Sequence, residues 1–290
     1  MIYLNGEFMP IEEARIPVLD RGFIFGDGVY ELVPVYGRRP FRLVEHLARL
    51  ENSLREIRLP NPYTRDEWAR LVAEVVARNP WDDQAVYFQV TRGVAKRDHA
   101  FPAGVAPTVF IMSNPLSTPS REALEHGVPA VTTADNRWGR CNIKSTSLLA
   151  NVLLKQLAAD AGASETILLR DGFLTEGSAS NVFVARAGKL LAPPKTNLIL
   201  PGITYDLVLE LATAHGVPHE VRQVSEFELR SADEIMVTSS NREVQPITTL
   251  DGKPVGDGRP GPVFRRLHAL YQEYKARLAQ EEPAVAAVAG

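Results

Sequence analysis

Between residues 43 and 57 the apolar positions Leu47, Leu50, Leu54 and Ile57 recur at spacings of three and four, which predicts an amphipathic helix. Trp68, Leu71, Val72, Val75 and Val76 repeat the pattern and predict a second. The runs "AVYFQVTRG" and "PTVFIMS" that follow are short, β-branched and aromatic, as strands are. At the start of the chain Asn5-Gly6 stands between two short alternating runs, the pair that a tight hairpin turn needs at positive φ. The first part therefore reads as two helices set against a sheet, an α+β domain over residues 1–115.

"SNPLSTPS" concentrates residues that punctuate structure, so the linker is placed at 116–121. A second domain, 122–280, opens with a helix near 148–161. The strand pairs "ETILLRDGFLTEG" and "NVFVARAGKLLAPP" follow, with turns at Asp171-Gly172 and Ala187-Gly188. A helix after "LPGIT", the strand "EIMVTSS" and a closing helix "PVFRRLHALYQEYKARLAQ" complete it. The tail 281–290, "EEPAVAAVAG", is small and low in complexity and is expected to be disordered.

Composition removes several function classes. Hydrophobic residues are 45% and charged residues 23% of the 290, and the net charge is −3, which offers no basic surface for nucleic acid. No run approaches the roughly 18 apolar residues of a membrane span, and the start lacks the features of a secretory signal, so the cytoplasm is the expected address. Cys141 is the only cysteine, and the six histidines lack ligand spacing, so no metal site is expected.

One lysine stands apart. Lys144 is followed by ten uncharged residues before Lys155. A lysine amine kept from water is a nucleophile toward carbonyls, although the same pattern also suits a side chain that snorkels to solvent. The strings around it narrow the choice. "CNIKSTSLLANVLLKQ" (141–156), "LTEGSASNVF" (174–183) and "LPGIT" (200–204) occur together in the order and spacing of one family. From about Tyr3 to about Tyr274 the chain resembles the fold-type IV transaminases, which use pyridoxal 5'-phosphate.

That resemblance implies a two-domain α+β architecture, with a smaller N-terminal α/β sandwich and a larger β-rich C-terminal domain, and usually a homodimer. It implies that Lys144 is the lysine bonded to the cofactor and the general acid and base of the reaction. Glu176 would be the carboxylate beside the cofactor's ring nitrogen. Arg49, on the flank of the leucine stripe, would bind the phosphate, together with Ile203 and Thr204 at a helix start and the turn residues Ser240 and Asn241. In that turn the family's usual Gly-Thr or Thr-Thr pair is replaced by Ser239-Ser240.

The substrate follows from "YFQVTRGVAKRDHAFP" (87–102), which is similar to the D-amino acid branch of the family. Arg97 and His99 fall on that branch's Arg-x-His pair and, with Tyr30 of "FGDGVYE", would bind the α-carboxylate, for which a guanidinium supplies two parallel donors. Lys96 stands where that branch has proline, and Arg92 reads as structural or rim. The implied reaction moves the amino group of a D-amino acid such as D-alanine to 2-oxoglutarate or pyruvate by a ping-pong mechanism. An R-amine or branched-chain amino acid transaminase of the same fold, and a non-catalytic protein that binds the cofactor, remain alternatives.

Overall fold

The structure is a computed structural model and describes residues 1–280; the expected disordered tail at 281–290 lies outside the described residues. The chain divides into two compact units. Among the described residues the first takes those up to Ser117, the short segment Ile143–Leu148 and residues 275–280; the second takes Thr118–Asn142 and Leu149–Tyr274.

The first unit carries β1 (Ile2–Leu4), β2 (Glu7–Met9), α1 (Arg21–Phe25), β3 (Gly28–Tyr36), β4 (Arg39–Pro40), α2 (Leu43–Glu56), α3 (Arg65–Ala77), β5 (Gln84–Thr91) and β6 (Thr108–Pro115). Its six strands form an antiparallel sheet in the order β2-β1-β6-β5-β3-β4. Asn5-Gly6 makes the β1–β2 turn with both residues at positive φ. The two helices form where the periodicity predicts them, and a Thr64–Glu67 capping box starts α3. One sheet face, with Val29, Val33, Val35, Val86, Phe88, Val90, Val109 and Ile111, packs with Leu47, Leu50, Leu54, Trp68, Val72 and Val75 of the helices into one core.

Strand β3 has no counterpart in the periodicity. Its alternation is broken by Glu31 on the core face and by Pro34, which normally demotes a run to an edge. Pairing with β5 along eight positions, Gly28↔Thr91 to Val35↔Gln84, overrides both.

The second unit carries α4 (Arg121–His126), β7 (Val128–Ala134), α5 (Leu149–Asp160), β8 (Glu165–Arg170), β9 (Phe173–Gly177), β10 (Asn181–Arg186), β11 (Lys189–Ala192), α6 (Ile203–Ala214), β12 (His219–Val221), α7 (Glu226–Arg230), β13 (Glu234–Ser239), β14 (Glu243–Leu250), β15 (Lys253–Pro254) and most of α8 (Pro262–Gln280). Its sheet is mixed and runs β12-β11-β10-β13-β14-β7-β8-β9, with β15 on β14. The hairpins turn at Asp171-Gly172 and Ala187-Gly188, again at positive φ. Val182 and Val184 of β10, Ile235 and Val237 of β13, Ile167 and Ile247 supply its core.

Candidate active site

In the first unit the segment Ile143–Leu148 lies along the start of β3. Ile143 is buried in the helix–sheet core. The Lys144 carbonyl accepts from the Tyr30 amide at 2.9 Å, and its own amide donates to Ser53 Oγ of α2 at 3.2 Å. Ser145 bridges to Val29, and the Thr146 amide donates to the Gly28 carbonyl at 3.0 Å. Gly28 leaves room for both neighbours: a Cβ there would stand 2.8 Å from the Val90 carbonyl oxygen of β5 and 3.3 Å from Thr146 Oγ1. Held in this way, the half-buried Lys144 places Nζ 4.2 Å from the centroid of the Tyr30 ring. Tyr30 in turn stacks on Tyr87 at 5.4 Å, and the Tyr87 hydroxyl donates to Gln89. Tyr30 and Lys144, far apart in sequence, are thus brought into contact.

The next residue of β3, Glu31, points to the opposite face and is fully buried. Burial opposes its charge, but Arg49 answers with Nε and Nη2, each at 2.8 Å, and His46 Nδ1 donates at 2.8 Å. The charge and bonds of Arg49 and the bond from His46 together hold the Glu31 carboxyl well below the usual range. Burial pushes His46 down, toward the neutral imidazole. Arg49 is itself only 8% exposed. It lies beside the leucine stripe on the inward side of α2, where its guanidinium is oriented by Glu31.

Arg97 and His99 lie in the connection between β5 and β6 and are exposed. They meet at Phe25, whose ring centroid is 5.2 Å from the Arg97 guanidinium carbon and 5.4 Å from the His99 ring centroid. They are therefore brought together with each other. Arg92 is buried and structural: it donates to Asp27 at 2.8 and 3.1 Å and to the carbonyls of Ile57 and Arg58 after α2.

In the second unit Glu176, at the end of β9, is 4% exposed. Its carboxylate accepts from Arg137 Nη1 at 2.5 Å, from Asn181 Nδ2 at 3.1 Å and from the Leu200 amide at 3.0 Å. Burial pushes its pKa up to about 7 against the pull of Arg137 and the Leu200 amide. Arg137 does not serve Glu176 alone, since Asp135 also takes its Nε and Nη2 at 2.9 Å each. Asp135 further accepts from Thr175 Oγ1, and although burial opposes its charge, Arg137 keeps it below the ordinary carboxylate range.

Asn181 joins Glu176 to the start of α6. Its Nδ2 also donates to the Leu200 carbonyl at 2.9 Å, and a Cβ on Gly202 would lie 2.0 Å from its Oδ1. Gly202 is the N-cap of α6 and has no side chain to satisfy the first amides, so this twelve-residue helix presents the N–H groups of its first turn and its positive dipole end at Ile203 and Thr204. Across the ladder Asn181 pairs with Thr238, whose Oγ1 is buried with no partner among the described residues. The β13–β14 turn begins two residues on: Ser240 is half-buried and Asn241 exposed, and the Arg242 guanidinium binds Ser164 and Gln245.

Sequence reading passed over Glu31, His46, Asp135, Arg137 and Asn181. Asn181 shares the string 174–183 with its partner Glu176, and Arg137 follows its partner Asp135 by two residues, but no local spacing announces that Arg137 also reaches Glu176, 39 positions on, or that Asn181 reaches the Leu200 carbonyl. An uncapped helix start, an orphaned buried hydroxyl and a buried carboxylate with a raised pKa suit a phosphate and a ring nitrogen. Residues 28–250 match the amino-transferase class IV family. The chain is 42% identical over 271 residues to the D-alanine aminotransferase of Bacillus licheniformis, covering 93% of this chain and 95% of that one. It is 40% identical over 274 residues to the D-alanine aminotransferase of Staphylococcus aureus strain MW2, covering 94% and 97%. A branched-chain amino acid aminotransferase from T.th., solved with pyridoxamine 5'-phosphate, superposes with a TM-score of 0.86 at 31% identity over 94% of this chain and 92% of that one. With a family match across most of the chain, and with relatives this similar along nearly all of it, the chain belongs to the class IV aminotransferases, enzymes of the fold-type IV architecture that work with pyridoxal 5'-phosphate.

Proposed function

We propose that this transaminase takes the amino group from a D-amino acid such as D-alanine and delivers it to a 2-oxo acid, 2-oxoglutarate or pyruvate, in two half-reactions of a ping-pong cycle. The observation that carries the reading is the 42% identity to a D-alanine aminotransferase along 93% of the chain. Bound pyridoxal 5'-phosphate supplies an electron sink for the bond broken at the substrate Cα. Lys144 anchors the cofactor, and its freed Nζ takes the Cα proton and returns it. Glu176 serves the ring nitrogen, with Arg137 and Asn181 orienting its carboxylate. Arg49, Ile203, Thr204, Ser240 and Asn241 hold the phosphate. Tyr30, Arg97 and His99 bind the α-carboxylate, which distinguishes an amino acid from a plain amine.

The test is a donor screen with pyruvate and with 2-oxoglutarate, using both enantiomers of alanine, glutamate and leucine, and R-1-phenylethylamine. Turnover of D-alanine well above L-leucine and the amine supports the reading. Preference for L-leucine or for the amine replaces it with one of its two siblings in the fold.

The working form is a homodimer in the cytoplasm. Leu149, Val152, Leu153 and Leu157 make an apolar stripe along one side of α5 that is 42–72% exposed, an area a second copy would cover. Among the described residues no helix is long and apolar enough to cross a membrane, and no cluster of three or more His, Cys, Asp or Glu is arranged to hold a metal ion. Cys141 has no cysteine partner in the chain, which suits a reducing compartment.

A further inference from the structure

Residues 96–101 form no ladder with either neighbouring strand, and each of them is exposed. A segment of this kind holds a geometry only where particular side chains fix it. One of those is Arg21, the first residue of α1, which is 3% exposed. Its Nε donates to Asp27 Oδ2 at 2.7 Å, and its Nη1 donates to the carbonyls of Asp98 at 2.5 Å and Ala100 at 3.4 Å. Its guanidinium carbon also stands 4.8 Å from the centroid of Phe25, the ring at which Arg97 and His99 meet. The carbonyls it holds therefore alternate along the chain with the two side chains assigned to the substrate carboxylate.

The far side of the turn is fixed by the same carboxylate. Asp27 binds Arg92 as well, and the Arg92 guanidinium carbon lies 3.7 Å from the centroid of Phe101. Asp98 adds a local clasp, its Oδ1 accepting from the Ala100 amide at 3.1 Å. The α1 end is equally constrained: Gly26 closes the helix at φ 65, and its carbonyl accepts from Thr146 Oγ1 at 2.9 Å and Ser147 Oγ at 3.0 Å, two and three residues after Lys144. A continuous chain of polar contacts thus runs from the lysine segment through α1 to the turn.

We propose that Arg21 is a positioning residue for substrate binding: held by Asp27, it clamps the carbonyls of Asp98 and Ala100 and so presents Arg97 and His99 to a carboxylate-bearing substrate. This rests on the assignment of Arg97 and His99 made above. Arg21 touches neither substrate nor cofactor in this role. Its loss lets the turn wander, and a guanidinium displaced from the plane of the substrate carboxylate loses the fit of its two parallel bonds.

Four forms of the holoenzyme test it: Arg21→Met, Arg21→Lys, Arg97→Ala and the Arg21→Met/Arg97→Ala double variant. Arg21→Met is expected to raise KM for D-alanine about tenfold while kcat falls by no more than about threefold, with Arg21→Lys between it and the parent. In the Arg97→Ala background Arg21→Met should change KM by less than about threefold, because most of its effect passes through Arg97 and only His99 is left to misplace. Hydrogen exchange should quicken in the peptide spanning 96–102 and stay unchanged in β5. If Arg97→Ala raises KM while both Arg21 variants keep the parent value, the clamp is refuted and the carboxylate assignment stands. If Arg97→Ala itself leaves KM unchanged, the assignment falls and the clamp's purpose with it. Full additivity in the double variant, or a loss confined to kcat, also overturns the proposal. Should Arg21→Met not fold, Arg21→Lys, which keeps the charge on Asp27, decides the same question.

Discussion

At the residue scale the environment of Glu176 differs sharply from that of Glu31, although both are buried carboxylates beside an arginine. Glu31 has two nitrogens of Arg49 and His46 as donors, and it stays charged. Glu176 shares Arg137 with Asp135, and burial prevails, raising it to about 7. The folded pKa lies above the unfolded one, so the protonated form is favoured by folding. That contribution is complete below about pH 4 and is lost as the pH rises through about 7. In cofactor-free protein, Glu176→Gln should therefore gain stability relative to the parent between pH 5 and pH 8, by up to ~3 kcal/mol, read from denaturant melts at both values. A relative loss over that interval would mean that Arg137 outweighs burial. With cofactor bound, the same substitution should lower turnover more than cofactor affinity, since an amide cannot hold a proton on the ring nitrogen.

Two more predictions belong to single side chains. Lys144→Ala should abolish transamination, and borohydride reduction of the parent followed by peptide mapping should find the cofactor on Lys144. An adduct on Lys155 or Lys189 would remove Lys144 from its role. Arg97→Ala should cost about 2–5 kcal/mol in kcat/KM for D-alanine and leave any reaction of R-1-phenylethylamine, however small, unchanged or faster, because the amine has no carboxylate to lose. Equal losses on both substrates would show that the loop merely shapes the site.

At the element scale the start of α6 concentrates several constraints in a few residues. Gly202 lets the helix begin against Asn181, and Asn181 ties that start to Glu176. A Cβ 2.0 Å from Asn181 Oδ1 must displace one of them. Gly202→Ala should thus destabilise the fold by about 1–3 kcal/mol, the usual range for overpacking, and raise the dissociation constant for pyridoxal 5'-phosphate. Thermal melts and a fluorescence titration check the two effects, and a variant with parent values in both would show that the helix start has room to spare.

At the scale of the whole molecule, the exposed stripe on α5 bears on assembly. Leu153, 63% exposed, stands within it. Leu153→Glu should place a charge in the proposed contact between two copies and shift sedimentation from dimer toward monomer, while leaving the melting of the isolated chain nearly unchanged. A parent-like dimer would move the contact to another face.

Much of the fold is local and was legible from the chain alone. Leu47, Leu50 and Leu54 specify one helix, Trp68, Val72 and Val75 another, and Asn5-Gly6 and Asp171-Gly172 their hairpins, because periodicity and positive-φ propensity act within a few residues. The motif strings likewise carried the family, since they preserve a chemistry that needs a lysine, a carboxylate and a glycine-led helix start in one order. Tertiary structure decided what those strings leave open. Only pairing with β5 makes a strand of 28–36, with Glu31 and Pro34 inside it. Only the return of Ile143–Leu148 to β3 sets Lys144 against Tyr30. Arg137 and Glu176 are 39 positions apart, and Arg21 and Asp98 are 77, so their partnerships depend on where the sheets bring the chain rather than on any spacing along it. Local interactions choose elements, whereas charges buried by packing must find partners wherever the fold supplies them.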